Sequence, residues 1–186
     1  MQSIMIIPVF ISFTAVQFIV YAYLSSDTGM INNLFGLSTR WYMEAKYWPA
    51  ILTIVKIWNG VGYGSVLYMS VLAGIDTQLY EAAEIDGANK WQQIAHVTLP
   101  SLVPMISIML LLSVGGMMHS DTGLFYQVTR NSGTLYSTTQ VLDSYVLNAI
   151  FKNANYGFTA AATFFQSVVG TAMILLANGI VRKIAP

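Results

Sequence analysis

The chain has 186 residues, 55% of them apolar, and its eight basic and eight acidic side chains cancel to a formal net charge of zero. Only 9% of residues are charged, against roughly a quarter in soluble domains, so the default class is integral membrane protein. No basic block or acidic tail recommends nucleic acid as a partner, and the absence of cysteine excludes disulfides, thiolate metal sites and thiol nucleophiles.

From the N-terminus, Met1 leads into QSIMIIPVFISF with no positive n-region and no small-residue cleavage site before Ser25. This is the pattern of a retained span over about 3–24 rather than a cleaved signal peptide. A loop over 25–47 follows. Tyr21, Tyr23, Trp41, Tyr42, Tyr47 and Trp48 cluster around it as an interfacial aromatic belt would. A second span covers about 48–74. Its only charge, Lys56, lies about two turns inside Trp48 and is expected to snorkel to the surface. Gly60 and Gly64 form a GxxxG pair there, with Gly62 between them, suited to close approach of a neighbouring helix. A polar island over 76–100 precedes a third span over about 101–118. A loop over 119–155 then leads to a fourth span over about 156–179, where Ser167 and Thr171 make a second small-residue pair. Lipid leaves no water to satisfy open backbone, so each span is expected to be helical.

An even number of crossings puts the 25–47 and 119–155 loops on one side and the island and tail on the other. Lys90, Arg182 and Lys183 on the island side face Arg40, Lys46, Arg130 and Lys152 on the loop side, so the positive-inside count leans weakly against a cytoplasmic island. Within the 119–155 loop, 141–152 is expected to be helical.

The island, EAAEIDGANKWQQIAHVTLP over 81–100, carries its own punctuation. Asp76 can cap a helix from Thr77 to about Ile85. Asp86–Gly87 signals a turn. Asn89 with Gln92 resembles a second cap, opening a helix through His96, and Pro100 suits the first position of the next membrane helix. Leu79, Ala82, Ala83 and Ile85 give the first helix an apolar patch beside Glu81 and Glu84. Such a patch suits a docked protein partner or the lipid surface.

The spacing Glu81-Ala82-Ala83, three residues, Gly87, nine residues, Val97-Thr98-Leu99-Pro100 resembles the EAA loop of binding-protein-dependent ABC importer permeases, whose pattern is EAA, three residues, G, nine residues, I-x-L-P. Val97 in place of isoleucine is the one departure. The flanks IWNGVGYGSVLYMSVLAGIDTQLY, YGFTAAATFFQSVVGTAMILLANGIVRK and SDTGMINNLFG are similar to the carbohydrate branch of that family, particularly oligosaccharide systems.

The resemblance implies an all-α transmembrane fold, the MetI-like permease helical bundle, with about four of its usual six spans present, so that the chain begins at the equivalent of the third. It further implies a multi-pass protein of the bacterial inner membrane with a cytoplasmic island and C-terminus, which overrides the charge count. Its implied partners are a cytoplasmic ABC ATPase dimer, a second permease subunit and an extracytoplasmic solute-binding protein that meets the 119–155 segment. By analogy Glu81 supplies an ionic contact to the ATPase, Ala82 and Ala83 a close-packing surface, and Gly87 the turn, with Leu99 and Pro100 completing the motif. A non-transporting remnant that acts only as a membrane interaction protein is the alternative.

Membrane-embedded polar groups are the default candidates for a solute path. Asn59, Tyr63, Tyr68 and Ser70 on the second span, with Gln166 and Asn178 on the fourth, can hydrogen-bond sugar hydroxyls; bonding between helices is the competing role for each. No catalytic apparatus is legible: no lysine follows glycine and precedes Ser or Thr as in a P-loop, and His96 and His119 lack ligand spacing. No cofactor or metal is implied, and ATP hydrolysis is expected of a separate chain.

Overall fold

The structure, a computed structural model, describes residues 2–153 and 156–184. All regular elements among the described residues are helical. In chain order they are α1 (Gln2–Phe10), α2 (Phe13–Leu24), α3 (Met30–Phe35), α4 (Trp48–Ala73), α5 (Thr77–Ile85), α6 (Lys90–Gln93), α7 (Leu99–Gly115), α8 (Tyr136–Thr139), α9 (Leu142–Asn153) and α10 (Tyr156–Ile184). Three described segments are long and apolar enough to cross a bilayer: Ala45–Ala73, Lys90–Gly115 and Tyr156–Val181.

The first apolar stretch is not the single helix expected over 3–24. Its two halves meet at 105° between Phe10 and Phe13. Three features make the break. Pro8 supplies no amide to continue α1, Ser12 adopts an extended conformation, and its hydroxyl accepts the Ala15 amide to start α2 afresh. The carbonyl of Pro8, at the end of α1, accepts the Ile11 amide at 3.2 Å and Asn59 Nδ2 of α4 at 2.7 Å. Nearby, a Cβ on Gly62 would lie 1.8 Å from the Met5 carbonyl oxygen, whereas Gly60 and Gly64 face open space. The close approach thus runs through Gly62 and not through the GxxxG pair. Only a residue without a side chain lets the α1 backbone lie directly on α4.

The chain divides into two compact units, Met1–Gly62 with Met118–Ser167, and Tyr63–Met117 with Val168–Pro186. The first holds every fully buried hydrophobic side chain among the described residues. Val16, Val20 and Leu24 of α2, Trp48, Leu52 and Val55 of α4, and Leu124, Val128 and Leu135 form one core. Gly123 starts a π-helical turn, Gly123–Val128, so close to α2 that a Cβ there would press on the Phe13 ring.

The aromatic cluster contributes to this core as well as to the surface. Trp48 is 0% exposed; its indole N–H donates to the Trp41 carbonyl at 2.8 Å and its ring packs edge-on against Tyr42. It is a core residue rather than part of the belt, while Tyr21, Tyr23 and Tyr47 remain exposed. Buried Asn32 holds the 25–47 segment together. Its amide donates to the carbonyls of Ser26 and Thr39, and its oxygen accepts the Trp41 indole N–H at 2.9 Å. All of its polar capacity that burial would otherwise penalise is used.

The second unit contains no fully buried hydrophobic side chain among the described residues. Within it α7 approaches α10 at Gly115, where a Cβ would lie 2.9 Å from Ile174 Cδ1. Lipid-facing helices can leave apolar surface uncovered because lipid tails are as apolar as leucine.

Candidate functional site

The polar island folds as a helix, a left-handed glycine turn and a second helix, as its capping residues predict. Asp76 accepts the Gln78 amide at 2.9 Å, which satisfies a first-turn donor and sets a negative charge at the positive end of α5. At the other end the amides of Asp86 and Gly87 reach the Ala82 and Glu84 carbonyls, and Ala88 N donates to Ala83 O at 2.9 Å. Gly87 makes the reversal at φ 78°, a conformation that costs a residue with a Cβ and leaves glycine unstrained. Asn89 and Gln92 then exchange reciprocal bonds, 3.0 Å from the Gln92 amide to Asn89 Oδ1 and 2.8 Å from the Asn89 amide to Gln92 Oε1.

The second island helix does not stop at His96. It runs unbroken from Lys90 to Gly115, through a π-helical turn over Ile94–Thr98. Pro100 explains the turn: it offers no amide to the carbonyl four residues back and its ring crowds that carbonyl, which a wider coil clears. Ser101 Oγ covers the Val97 carbonyl at 2.7 Å. Tyr80 of α5 bonds through its hydroxyl to Thr98 Oγ1 at 2.9 Å, so the first island helix is tied to the π turn of the second. Buried Gln93 accepts from Lys90 Nζ and donates to the Ala88 carbonyl, which braces the turn from within.

On this frame Glu81 and Ala82 are exposed, Ala83 is half-buried, and Gly87, Leu99 and Pro100 are exposed. Glu81 forms no ion pair among the described residues. Two large apolar side chains stand out beside the turn, Ile85 at 86% and Trp91 at 81% exposed. Ile85 belongs to the patch read from the sequence; Trp91 does not. Its signal was a tryptophan inside a polar segment, next to a cap that fixes the start of its helix.

The six polar residues considered for a solute path do not form one set. On α4, Asn59, Tyr63 and Ser70 fall on one helical face by the 3.6-residue period and Tyr68 on the opposite one. Asn59 is committed to the Pro8 carbonyl. Gln166 is 1% exposed and its amide donates to the Met118 carbonyl at 2.7 Å and to Asp143 Oδ1 at 2.9 Å. These interior bonds are the helix-bridging role that competes with a solute-facing one. Tyr63 and Ser70 are exposed, while Tyr68 and Asn178 are half-buried.

The segment read from sequence as a long loop over 119–155 is folded over its described residues 119–153. It contains the expected helix, here α9, which buries Val146 and Ala149, and beyond that helix it contributes Leu124, Val128 and Leu135 to the interior. The Lys56 side chain remains 56% exposed, and its ammonium pairs with Asp121 at 2.7 Å. Asp121 also accepts the Leu124 amide at 3.2 Å, so the pair anchors the start of the π turn to α4. Asp143 of α9 accepts the Ser120 amide and Gln166 Nε2, and His119 Nδ1 lies 3.9 Å from it. Among the described residues no group of three or more His, Asp or Glu side chains could hold a metal ion. Burial pushes the Tyr42 phenol up to about 12, partly offset by the Arg130 charge beside it.

Comparison with known proteins agrees with this architecture. The chain is 30% identical to the protein LplB of Bacillus subtilis (strain 168) over 98% of this chain and 58% of that protein. It is 27% identical to the polygalacturonan/rhamnogalacturonan transport system permease protein YteP of the same organism, over 98% of this chain and 57% of YteP. The chain therefore spans a little over half the length of these relatives. Its fold matches a chain of a bacterial ABC transporter involved in the import of the acidic polysaccharide alginate, with a TM-score of 0.91 and 30% identity over 100% of this chain and 65% of that one. The family model for the binding-protein-dependent transport system inner membrane component matches residues 1–186. The chain belongs to that family of inner-membrane components, and it has the MetI-like helical fold.

Proposed function

We propose that this chain serves as the membrane-spanning permease subunit of an ATP-driven importer of oligosaccharides, coupled to a separate ATPase through residues 76–100. The observation that carries the reading is the island itself. Its two capped helices and glycine turn are fixed by local bonds, yet it leaves Glu81, Ala82, Ile85 and Trp91 exposed. A surface of one carboxylate, small side chains and two large apolar ones is suited to a protein cleft: the carboxylate supplies an ionic contact, and Ile85 and Trp91 supply area worth roughly 1.5–3 kcal/mol each if fully buried.

In this reading the island is cytoplasmic, and the folded 25–47 and 119–153 segments are extracytoplasmic and receive a solute-binding protein. A second permease subunit completes the path. The relatives named above are a polygalacturonan/rhamnogalacturonan permease and an alginate importer, which supports a carbohydrate cargo. ATP binding can drive the cycle only if the contacts of the island differ between the transporter's states, so the island must dock as a rigid body.

The test is uptake in cells that lack another copy of the gene. Glu81→Ala and Gly87→Ala are each expected to reduce oligosaccharide uptake and co-purification of the ATPase, with the amount of protein in the membrane unchanged. Full uptake by both variants overturns the reading.

A further inference from the structure

A second polar site lies within the first unit. A cavity of about 410 Å³ is lined by Tyr21, Ser25, Ser26, Asp27, Tyr42, Arg130 and Ser132. Arg130 sits at φ 55° and Asn131 follows at 47°, two consecutive left-handed residues that are not glycine. Such backbone costs about 1–3 kcal/mol each and persists only where its surroundings over-determine it. They do so here. Asn131 and Asn148 exchange amide bonds at 2.8 and 3.0 Å, Tyr136 donates its hydroxyl to Asn131 Oδ1, and Asn131 N reaches the Tyr126 carbonyl.

What this arrangement presents is the Arg130 side chain, whose guanidinium carbon lies 4.3 Å from the centre of the Tyr21 ring. No carboxylate among the described residues pairs with it, although Asp27 lines the same cavity. The donors and acceptors nearby are divided. Thr134 gives its proton to the Tyr42 carbonyl at 2.7 Å, so Ser132, 2.8 Å from Thr134 Oγ1, must donate to it and keeps its lone pairs for a ligand. Ser25 accepts from Thr28 and keeps its proton.

We propose that this cavity is a contact site for a uronic acid unit of an acidic oligosaccharide, with Arg130 taking the carboxylate. Arginine's planar fork matches a carboxylate in two parallel bonds. Ser25 donates to, and Asp27 and Ser132 accept from, ring hydroxyls, and the edges of Tyr21 and Tyr42 meet the apolar face of the sugar. The volume accommodates a single sugar ring and not a folded protein element. The inference rests on the carbohydrate reading above and adds a substrate class and a place to it.

The probe is trigalacturonate, compared with its fully methyl-esterified form, binding to the whole chain in zwitterionic lipid nanodiscs by calorimetry. The acid is expected to bind the wild type at least about tenfold tighter than the ester, as loss of a charge-assisted bidentate contact requires. Arg130→Gln should abolish that preference, and Arg130→Lys should retain part of it. Asp27→Asn, at the exposed rim, should strengthen binding of the acid and weaken that of the ester, independently of any folding defect in the Arg130 variants. Equal binding of acid and ester by the wild type, a preference that survives Arg130→Gln, or indifference to Asp27→Asn each overturns the site. Uptake dependent on Glu81 reports on the permease reading separately, so either can fail while the other stands.

Discussion

The 25–47 and 118–153 segments, packed on α2 and the first part of α4, and the island over 76–98 all lie between apolar runs, yet they are stabilised in opposite ways. The first two share a packed core: Trp48, Val128 and Leu135 are each 0% exposed, and Asn32 ties three strands of chain to one amide. The island has Gln93 as its only fully buried side chain and is held by two caps, a glycine turn and the Tyr80–Thr98 bond. Tertiary packing suits a platform that must hold its shape. Local bonds suit a short segment that keeps most of its side chains exposed.

If that contrast is right, the largest effect belongs to the core. Trp48→Ala should destabilise the protein by about 3–5 kcal/mol, through lost burial and the cavity left behind, measured by unfolding in detergent. Asn32→Leu comes next, at about 1–3 kcal/mol, because the Trp41 indole N–H and two carbonyls lose their partner inside the layer. A smaller effect on global unfolding from Trp48→Ala than from Asn32→Leu would break the comparison.

In the island, Asn89→Ala should cost only about 1 kcal/mol. It should show as faster hydrogen exchange at the amides of Lys90–Gln93 with the global transition unmoved; a shift of the whole transition would mean that the island is coupled to the core. The smallest effect is confined to high pH. The Tyr42 phenol keeps its proton to about 12 in the folded protein, whereas an unfolded tyrosine loses it near 10. The folded state therefore binds more protons in that window, and stability falls as pH rises through it. Tyr42→Phe should flatten that decline, seen as a smaller difference in unfolding temperature between pH 9.5 and 11.

The island was legible in the chain because its structure is local. Asp76, Gly87, Asn89 and Gln92 act on neighbours within a few residues, so spacing alone locates the first helix, the turn and the start of the second helix. The π turn before Pro100 was not legible, since it resolves a clash that appears only when the helix continues through the proline. The partners of the polar residues in the apolar spans were not legible for a related reason. A polar residue in an apolar run shows that its side chain needs partners, and Asn59 and Gln166 find theirs inside the protein, 51 and 48 positions away.

Composition and spacing by themselves determined the class of protein, the apolar stretches and the capped helix–turn–helix of the polar island, because hydrophobic length and capping chemistry depend on residues close together in the chain. Tertiary structure alone decided that the first stretch breaks at Ser12, that Gly62 rather than the Gly60 and Gly64 pair takes the close contact, that Lys56 meets Asp121, and that 119–153 is a core element carrying Arg130 in a left-handed turn. Each of these depends on which distant segment arrives opposite. A glycine, a lysine or a tryptophan carries the same chemistry whether it faces lipid, water or another backbone, and only the fold chooses among them.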